Sequence, residues 1–313
     1  MIVELTLLAL LIVVPLVSND AFLVDRLGRF FLLAIFAMSV DLIWGYGGLF
    51  TFGHAVFFGG AAYVVGILTT REWGFLPIPF WPALLAGVAF AAALALATSF
   101  FVFYGRGALR GVEFAVVTLA LAVIAERIAN AGGNVTGGQN GILMDSRLEI
   151  PGVISFHKGF AFYVFTALLL VLVYIGLKRF LRARPGLLIR GVRENEDRVG
   201  LLGYDVPRVK RRTFVLSAAV AGLAGALFYV HDGIVSPSAV GVAASTLVLL
   251  WVVLGGRGTL VGPIVGAILL SYLTVSLSGR LLDTWLVVVG VTLVVVILFL
   301  PAGIFGFLKR GES

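Results

Sequence analysis

The sequence predicts an all-α, polytopic membrane protein of about ten transmembrane helices, built as a single transmembrane domain over residues 1–313. Three observations carry that expectation. Hydrophobic residues fill 60% of the 313 positions and charged ones only 12%, where soluble domains carry roughly 25% charged residues. Mean hydropathy is +1.10. The apolar residues also fall in runs near the ~20 residues needed to cross a bilayer as helix, joined by short loops.

The first run, Ile2–Val17, lacks the basic leader and small-residue cleavage site of a signal peptide, so it is expected to be a retained span. The second, Arg29–Tyr46, carries Asp41 inside an otherwise apolar stretch. The third starts in Gly45–Leu68, where glycines at 45, 47, 48, 53, 59, 60 and 66 allow close backbone approach and a broken or re-entrant start. Arg71–Pro79 reads as a turn with two prolines, and Phe80–Tyr104 as a long uncharged fourth span. Gly105–Gly111 adds Arg106 and Arg110 without an acid. The fifth span, Val112–Ala131, holds Glu113 near one end and Glu126-Arg127 near the other, as anchors.

A turn-rich loop, Gly132–Gly159, precedes the sixth span, Phe160–Leu177. Segments seven to ten are expected at Phe214–Val230, Ala243–Gly256, Leu260–Leu277 and Thr284–Leu300. Only GGRGT joins the eighth to the ninth, so those two must form an antiparallel hairpin. A faint echo links Gly47–Gly53 (GGLFTFG) to Gly255–Gly262 (GGRGTLVG), each at the end of a hairpin.

Between spans six and seven, Lys178 to Thr213 holds eleven basic residues: Lys178, Arg179, Arg182, Arg184, Arg190, Arg193, Arg198, Arg208, Lys210, Arg211 and Arg212. Four acids oppose them, Glu194, Glu196, Asp197 and Asp205, and the excess of seven equals the formal net charge of the whole chain. The positive-inside bias assigns this loop, 178–213, to the cytoplasm. Alternation then puts both termini there too, although the first span has no basic residue before it. The pI near 10.0 follows from topology and is no sign of nucleic-acid binding. The loop's centre has charges of both signs ahead of Val199, Leu201 and Leu202. That pattern suits a short amphipathic helix lying on the membrane and offering a face to a soluble partner.

The chemistry-bearing residue sets are sparse. No cysteine is present, which excludes disulfides, thiolate metal sites and thiol catalysis. There is no phosphate-cradling GxxxxGK[ST] stretch, no HExxH and no GxSxG. No cofactor, metal site or enzymatic activity is expected. His54, His157 and His231 lie far apart near segment ends and read as packed or interfacial. Asp41 is a costly intramembrane carboxylate that either lines a polar path or holds helices together. Thr136–Gly141 (TGGQNG) combines glycines suited to positive φ with amide side chains able to bond a partner.

Five stretches, in order, resemble signatures of the permease subunits of branched-chain amino-acid ABC transporters, and of the longer, M-type subunit above all. They are Asp41–Leu68, Arg110–Ile128, Thr136–Ile142, Arg190–Lys210 and Val252–Ala267. The resemblance covers about three quarters of the chain. It implies a type II-like importer fold in a prokaryotic plasma (inner) membrane. It also implies a second homologous permease, two cytoplasmic ATPase subunits and a periplasmic or extracellular solute-binding protein. It assigns ATPase coupling to Arg193, Glu194, Asn195, Glu196, Asp197, Arg198, Gly200, Gly203 and Tyr204. Glu194 and Gly200 also follow the spacing of the EAA…G docking motif of other importers, with Asn195 and Glu196 standing where that motif has alanines.

Two further assignments are expected. The glycine-rich hairpin, with Asp41 at its entrance and Gly48, Gly53, His54, Ala55 and Gly59 along it, should face the second permease across a shared substrate path. Thr136, Gly137, Gly138, Gln139 and Asn140 should meet the binding protein. The leading function is the pore half of an ATP-driven importer of branched-chain or other hydrophobic amino acids. A urea or short-amide permease uses the same scaffold. An ion-coupled secondary transporter would need more intramembrane ionisable groups than Asp41, and a membrane enzyme would need a nucleophile or acid–base cluster.

Overall fold

The computed structural model describes residues 21–70, 78–104, 111–144, 159–278 and 303–305. The expected first and tenth spans, the Arg71–Pro77 part of the turn, the Arg106–Arg110 loop, His157 and the Lys309-Arg310 tail lie outside the described residues. The described part is helical, and four of its helices are long and apolar enough to span a bilayer: Phe22–Tyr46, Phe80–Phe103, Phe160–Arg182 and Val206–Asp232.

Two long helices form the centre. The first, α1 (Ala21–Val40), carries Asp25, Arg26 and Arg29 in its first turns, but from Phe30 onward it is apolar and buried on nearly every face, as a helix surrounded by protein must be. It runs into a π-helical turn at Asp41–Tyr46. Residues 47–54 are then non-helical, and α2 (Ala55–Thr69) restarts the path. The broken start expected from the glycines is therefore present. At 15 residues α2 is too short to span alone.

The helix α3 (Phe80–Phe103) buries Ala83, Gly87, Ala91, Ala95 and Ser99, every fourth residue. Its other face exposes Leu85, Phe90, Leu96, Phe100 and Phe101. A four-residue spacing is one helical stripe, and small side chains on it let backbones meet. A Cβ at Gly87 would sit 2.9 Å from the Ala61 carbonyl oxygen of α2. The other central helix, α8 (Val206–Asp232), packs against α1, α2 and α3. The buried stripe of α3 thus faces protein and the large apolar face is left to lipid.

By contrast, α4 (Val112–Ala131) touches the body along a thin line of Phe114, Ala115, Thr118, Ala122 and Ala129. Val116, Val117, Val123, Ile124 and Ile128 are exposed on either side of it. After it a 3₁₀ turn at Gly138–Asn140 leads to β1 (Ile142–Leu143), which pairs antiparallel with β2 (Ile234–Val235) just past α8. The helix α5 (Phe160–Arg182) packs on α1. The expected hairpin is formed by α9 (Val242–Gly255) and α10 (Val261–Ser278), with α10 also against α1. Glycines seam it closely: a Cβ on Gly255 would meet the Gly262 carbonyl.

The basic stretch differs most from expectation. Instead of one loop over 178–213, α5 continues to Arg182 and α8 begins at Val206, not Phe214. Basic residues do not stop a helix, because their long stems carry the charge to the interface. Asp205 caps α8 by accepting the Arg208 N–H at 2.9 Å, and Pro207 suits the first turn. The single amphipathic helix is also split, into α6 (Arg184–Glu194) and α7 (Glu196–Leu201). Asn195 makes the break: its backbone is extended and its Oδ1 accepts the Arg198 N–H at 2.9 Å, starting α7 afresh. Ile189, Val192, Val199 and Val206 form a small core of their own under these helices.

Candidate functional site

Three separate parts of the chain meet at the basic end of the molecule. Asp41 is fully buried. Its Oδ1 accepts the Gly258 N–H at 2.5 Å and its Oδ2 the Leu260 N–H at 3.1 Å. The carboxylate thus ties the π-turn to the tight connection between α9 and α10. A carboxylate holding two backbone N–H groups is a charge-assisted clamp, and it accounts for a charge at this depth. Leu260 sits at φ +59, a conformation that costs energy for any residue but glycine and persists only when neighbours enforce it. Gly45 has to be glycine here, since a Cβ would overlap both the Asp41 carboxylate and Gly258 N.

The third part is the end of α6. Arg193 Nη1 donates to the Gly45 carbonyl, and the side-chain stem crosses Gly48, where φ is +71. A Cβ at Gly48 would lie 2.9 Å from Arg193 Cγ. Arg190 lies over the Tyr46 ring (5.1 Å) and Arg257 over Trp44 (5.9 Å). Arg193 thus lies between Gly48 of GGLFTFG and the π-turn that meets GGRGTLVG at Gly258. A cavity of about 400 Å³ lined by Tyr46, Arg190, Arg193, Glu194 and Gly258 opens beside it.

Around that junction the predicted coupling residues divide into two groups. Glu196 is bound inward, its Oε2 2.6 Å from the nearly buried Lys210 of α8, which also lies over Phe103 (5.8 Å). Glu194, Asn195, Asp197, Arg198, Gly200, Gly203 and Tyr204 are exposed. Beside them Leu187, Leu201 and Leu202 are exposed at 57%, 90% and 70%, where the sequence suggested a membrane-facing side. The sequence reading did not single out these leucines as exposed. The signal was present in Leu201-Leu202 next to Gly203, a pair that the buried Val199 leaves outside.

Four of the predicted path residues lie among other elements of this chain. Gly53, His54, Ala55 and Gly59 are buried within the protomer, not on a face open to a second chain. The backbone of Thr118 closes over Gly53, and Ala55 N–H donates to Ser245 Oγ at 3.1 Å. Gly59 lies against the Ala239 carbonyl. His54 Nε2 is 3.0 Å from Ser217 Oγ, which donates to the Ser39 carbonyl at 2.5 Å. The physical reason is helix length: a 15-residue α2 enclosed by α3 and α8 sits inside the bundle. From this hairpin Phe58 reaches the wall of an open cavity.

At the opposite end, Thr136 Oγ1 donates to the Ala129 carbonyl at 2.6 Å and finishes α4. Gly137, Gly138 and Gly141 all take positive φ, the conformations that their glycines permit at no steric cost. Gln139 and Asn140 stand exposed on the 3₁₀ turn. The strand that follows is bonded to β2, and Met144 N–H donates to the Gly233 carbonyl at 2.8 Å. This loop is thus fastened to the end of α8.

Residues 22–297 match the family model described as the permease component of branched-chain amino acid transport systems. The chain is 31% identical over 259 residues to the high-affinity branched-chain amino acid transport permease protein LivM of Salmonella typhimurium, and equally to that of Escherichia coli K12. Those alignments take in 75% of this chain and 59% of the relative, so the chain spans about three-fifths of the LivM proteins it matches. LivH of Escherichia coli K12 is 26% identical over 283 residues, covering 87% of this chain and 91% of LivH. No solved structure matches. A family match that runs through every described element, from the first helix to beyond the α9–α10 hairpin, leads to one conclusion: this chain belongs to the branched-chain amino acid transport permease family.

Proposed function

We propose that the chain is the membrane-spanning permease subunit of an ATP-driven importer of branched-chain or other hydrophobic amino acids. It works with a second homologous permease, two cytoplasmic ATPase subunits and an extracytoplasmic solute-binding protein, in a prokaryotic inner membrane. In this reading ten helices complete a type II-like fold, the basic end faces the cytoplasm and both termini lie there. The observation that carries it is Arg193, which runs from the exposed α6–α7 pair to Gly45 beside the Asp41–Gly258 clamp. A movement imposed on that pair reaches both broken-helix turns through one side chain.

The ATPase meets Leu187, Leu201, Leu202 and Tyr204, framed by Glu194, Asp197 and Arg198, while Asn195 and Glu196 hold the two helices in place. Apolar anchors with a charged rim are the usual composition of such contacts. The second permease covers α4, whose two exposed apolar flanks suit a protein neighbour on one side and lipid on the other. Thr136–Asn140 receives the binding protein. Proteoliposomes containing the permease pair and ATPases should take up leucine only when ATP and loaded binding protein are supplied. Arg193→Ala should keep ATP hydrolysis while uptake falls. Uptake driven by an ion gradient without ATPase would replace this reading with secondary transport, and uptake of urea in place of leucine would replace the substrate.

A further inference from the structure

A cavity of about 520 Å³ lies between α1, α8, α9 and α10, in the half of the bundle away from the basic end. That volume is typical of small-molecule sites, which run from ~300 to 1,000 Å³. One wall is charged. Arg29 of α1 and Asp232 at the end of α8 pair at 2.9 Å, with side chains 38% and 19% exposed. The guanidinium leans over Phe228 at 5.2 Å. Its Nε is buried without a partner among the described residues, as is Ser271 Oγ across the cavity. The rest of the wall is apolar: Leu33, Phe36, Phe58, Leu247 and Trp251.

Built on the amino-acid importer reading above, we propose that this cavity is the passage site for the zwitterionic head and aliphatic side chain of the transported amino acid. Arg29 takes the carboxylate, Asp232 takes the ammonium, and Phe36, Phe58, Leu247 and Trp251 receive the side chain. An ion pair in apolar surroundings is stable only while both charges are answered. A ligand carrying one charge of each sign can enter between them and leave neither bare, whereas a fatty chain, an amine or a carboxylic acid alone cannot. The exchange also makes binding weak, because two new ion pairs replace one already formed and the head group gives up its water. Weak holding is what a transit site needs.

The same charges are wired to the outer loop. His231 Nδ1 is 3.2 Å from Asp232 Oδ1, and its Nε2 is 3.2 Å from the Asp25 carbonyl. The cavity-lining Ile234 belongs to β2, which pairs with the strand that follows Thr136–Gly141. A protein pressing on that loop therefore acts on the turn beside Asp232.

The test uses the whole reconstituted transporter and a diazirine analogue of leucine. Photolysis during turnover should label peptides containing Phe36, Phe58 or Trp251. Leucine should compete, while leucinol and 4-methylpentanoic acid, each lacking one charge, should not. Arg29→Ala and Asp232→Asn should each lower uptake about tenfold or more, because each removes one of the two charges that receive the zwitterionic head. ATP hydrolysis stimulated by loaded binding protein should stay within about twofold in both, a split that mere misfolding would not give. Filling the wall with Ala244→Phe should also block uptake. Labelling confined to other helices, equal competition by the singly charged analogues, or wild-type uptake in Ala244→Phe would overturn the site. Those results leave the importer reading standing, because that reading fails only if the wild-type complex shows no ATP-dependent leucine uptake.

Discussion

The two ends of the bundle use charge in opposite ways. At the basic end Asp41 and Arg193 each bond to backbone, a carboxylate to the N–H groups of Gly258 and Leu260 and a guanidinium to the carbonyl of Gly45. At the other end Arg29 and Asp232 bond to each other. A charge bonded to backbone fixes the path of the chain and has no ready substitute. A charge bonded to another side chain can change partner when a suitable ligand arrives. The first arrangement locks geometry and the second permits exchange, so substitutions at the two ends should fail differently.

Removing the lock should have the largest effect. Asp41→Ala strands two buried N–H groups and frees Leu260 from an unfavourable φ. We expect a loss of about 2–6 kcal/mol, at ~1–3 kcal/mol for each orphaned group. A markedly lower melting temperature of the detergent-solubilised transporter would show it, while Asp232→Asn should melt close to wild type. Equal melting of the two variants would erase the contrast.

Gly59→Val comes next. Its added side chain must displace the Ala239 carbonyl and Val240, so the cost should reach roughly 1–3 kcal/mol, the usual range for overpacking. Assembly with the second permease, followed by size-exclusion chromatography, should fall in parallel with thermal stability.

Arg193→Ala should separate coupling from stability. Its long side chain is largely exposed, so melting should move little, yet the ATP consumed per leucine transported should rise several-fold. An unchanged ratio would remove Arg193 from the coupling route. Leu201→Ser with Leu202→Ser should weaken ATPase assembly in pull-downs without altering binding-protein contact.

The smallest effect is expected at the Thr136–Asn140 loop. Gln139→Ala with Asn140→Ala removes exposed side chains only, so uptake should fall about two- to threefold at limiting binding protein, as for peripheral interface contacts below ~1 kcal/mol. Raising the binding-protein concentration should restore it. Loss that persists at saturation would mean that the loop acts on the cavity itself.

Much of this was legible in the sequence because hydropathy and glycine report local backbone demands. The four long apolar helices, the α9–α10 hairpin and the broken start before Ala55 all follow from patterns within a few dozen residues. The GGRGTLVG turn meets the π-turn at Asp41 and Gly45, just ahead of GGLFTFG. What escaped was everything set by pairing across the chain. Asp41 could be seen as costly, but its partners stand 217 and 219 positions away. Arg29 read as the polar start of a span, and nothing local joined it to Asp232. The split at Asn195 was missed because the charge pattern around it suits a continuous helix equally well, and only the cap bond to Arg198 distinguishes the two. The glycines of α2 announced close packing correctly, but packing density alone does not say whether the neighbour belongs to the same chain.

One feature joins the two ends mechanically. The helix α8 runs without a break for 27 residues, from Val206 beside the Lys210–Glu196 bridge to Asp232 at the cavity. At 1.5 Å per residue it is a rod roughly 40 Å long, and a tilt of about 5° around one end displaces the other by roughly 3–4 Å. That distance is enough to part an ion pair. A rod of this kind turns a small push on the α6–α7 helices into a change of partner for Asp232, with no intermediate segment having to refold.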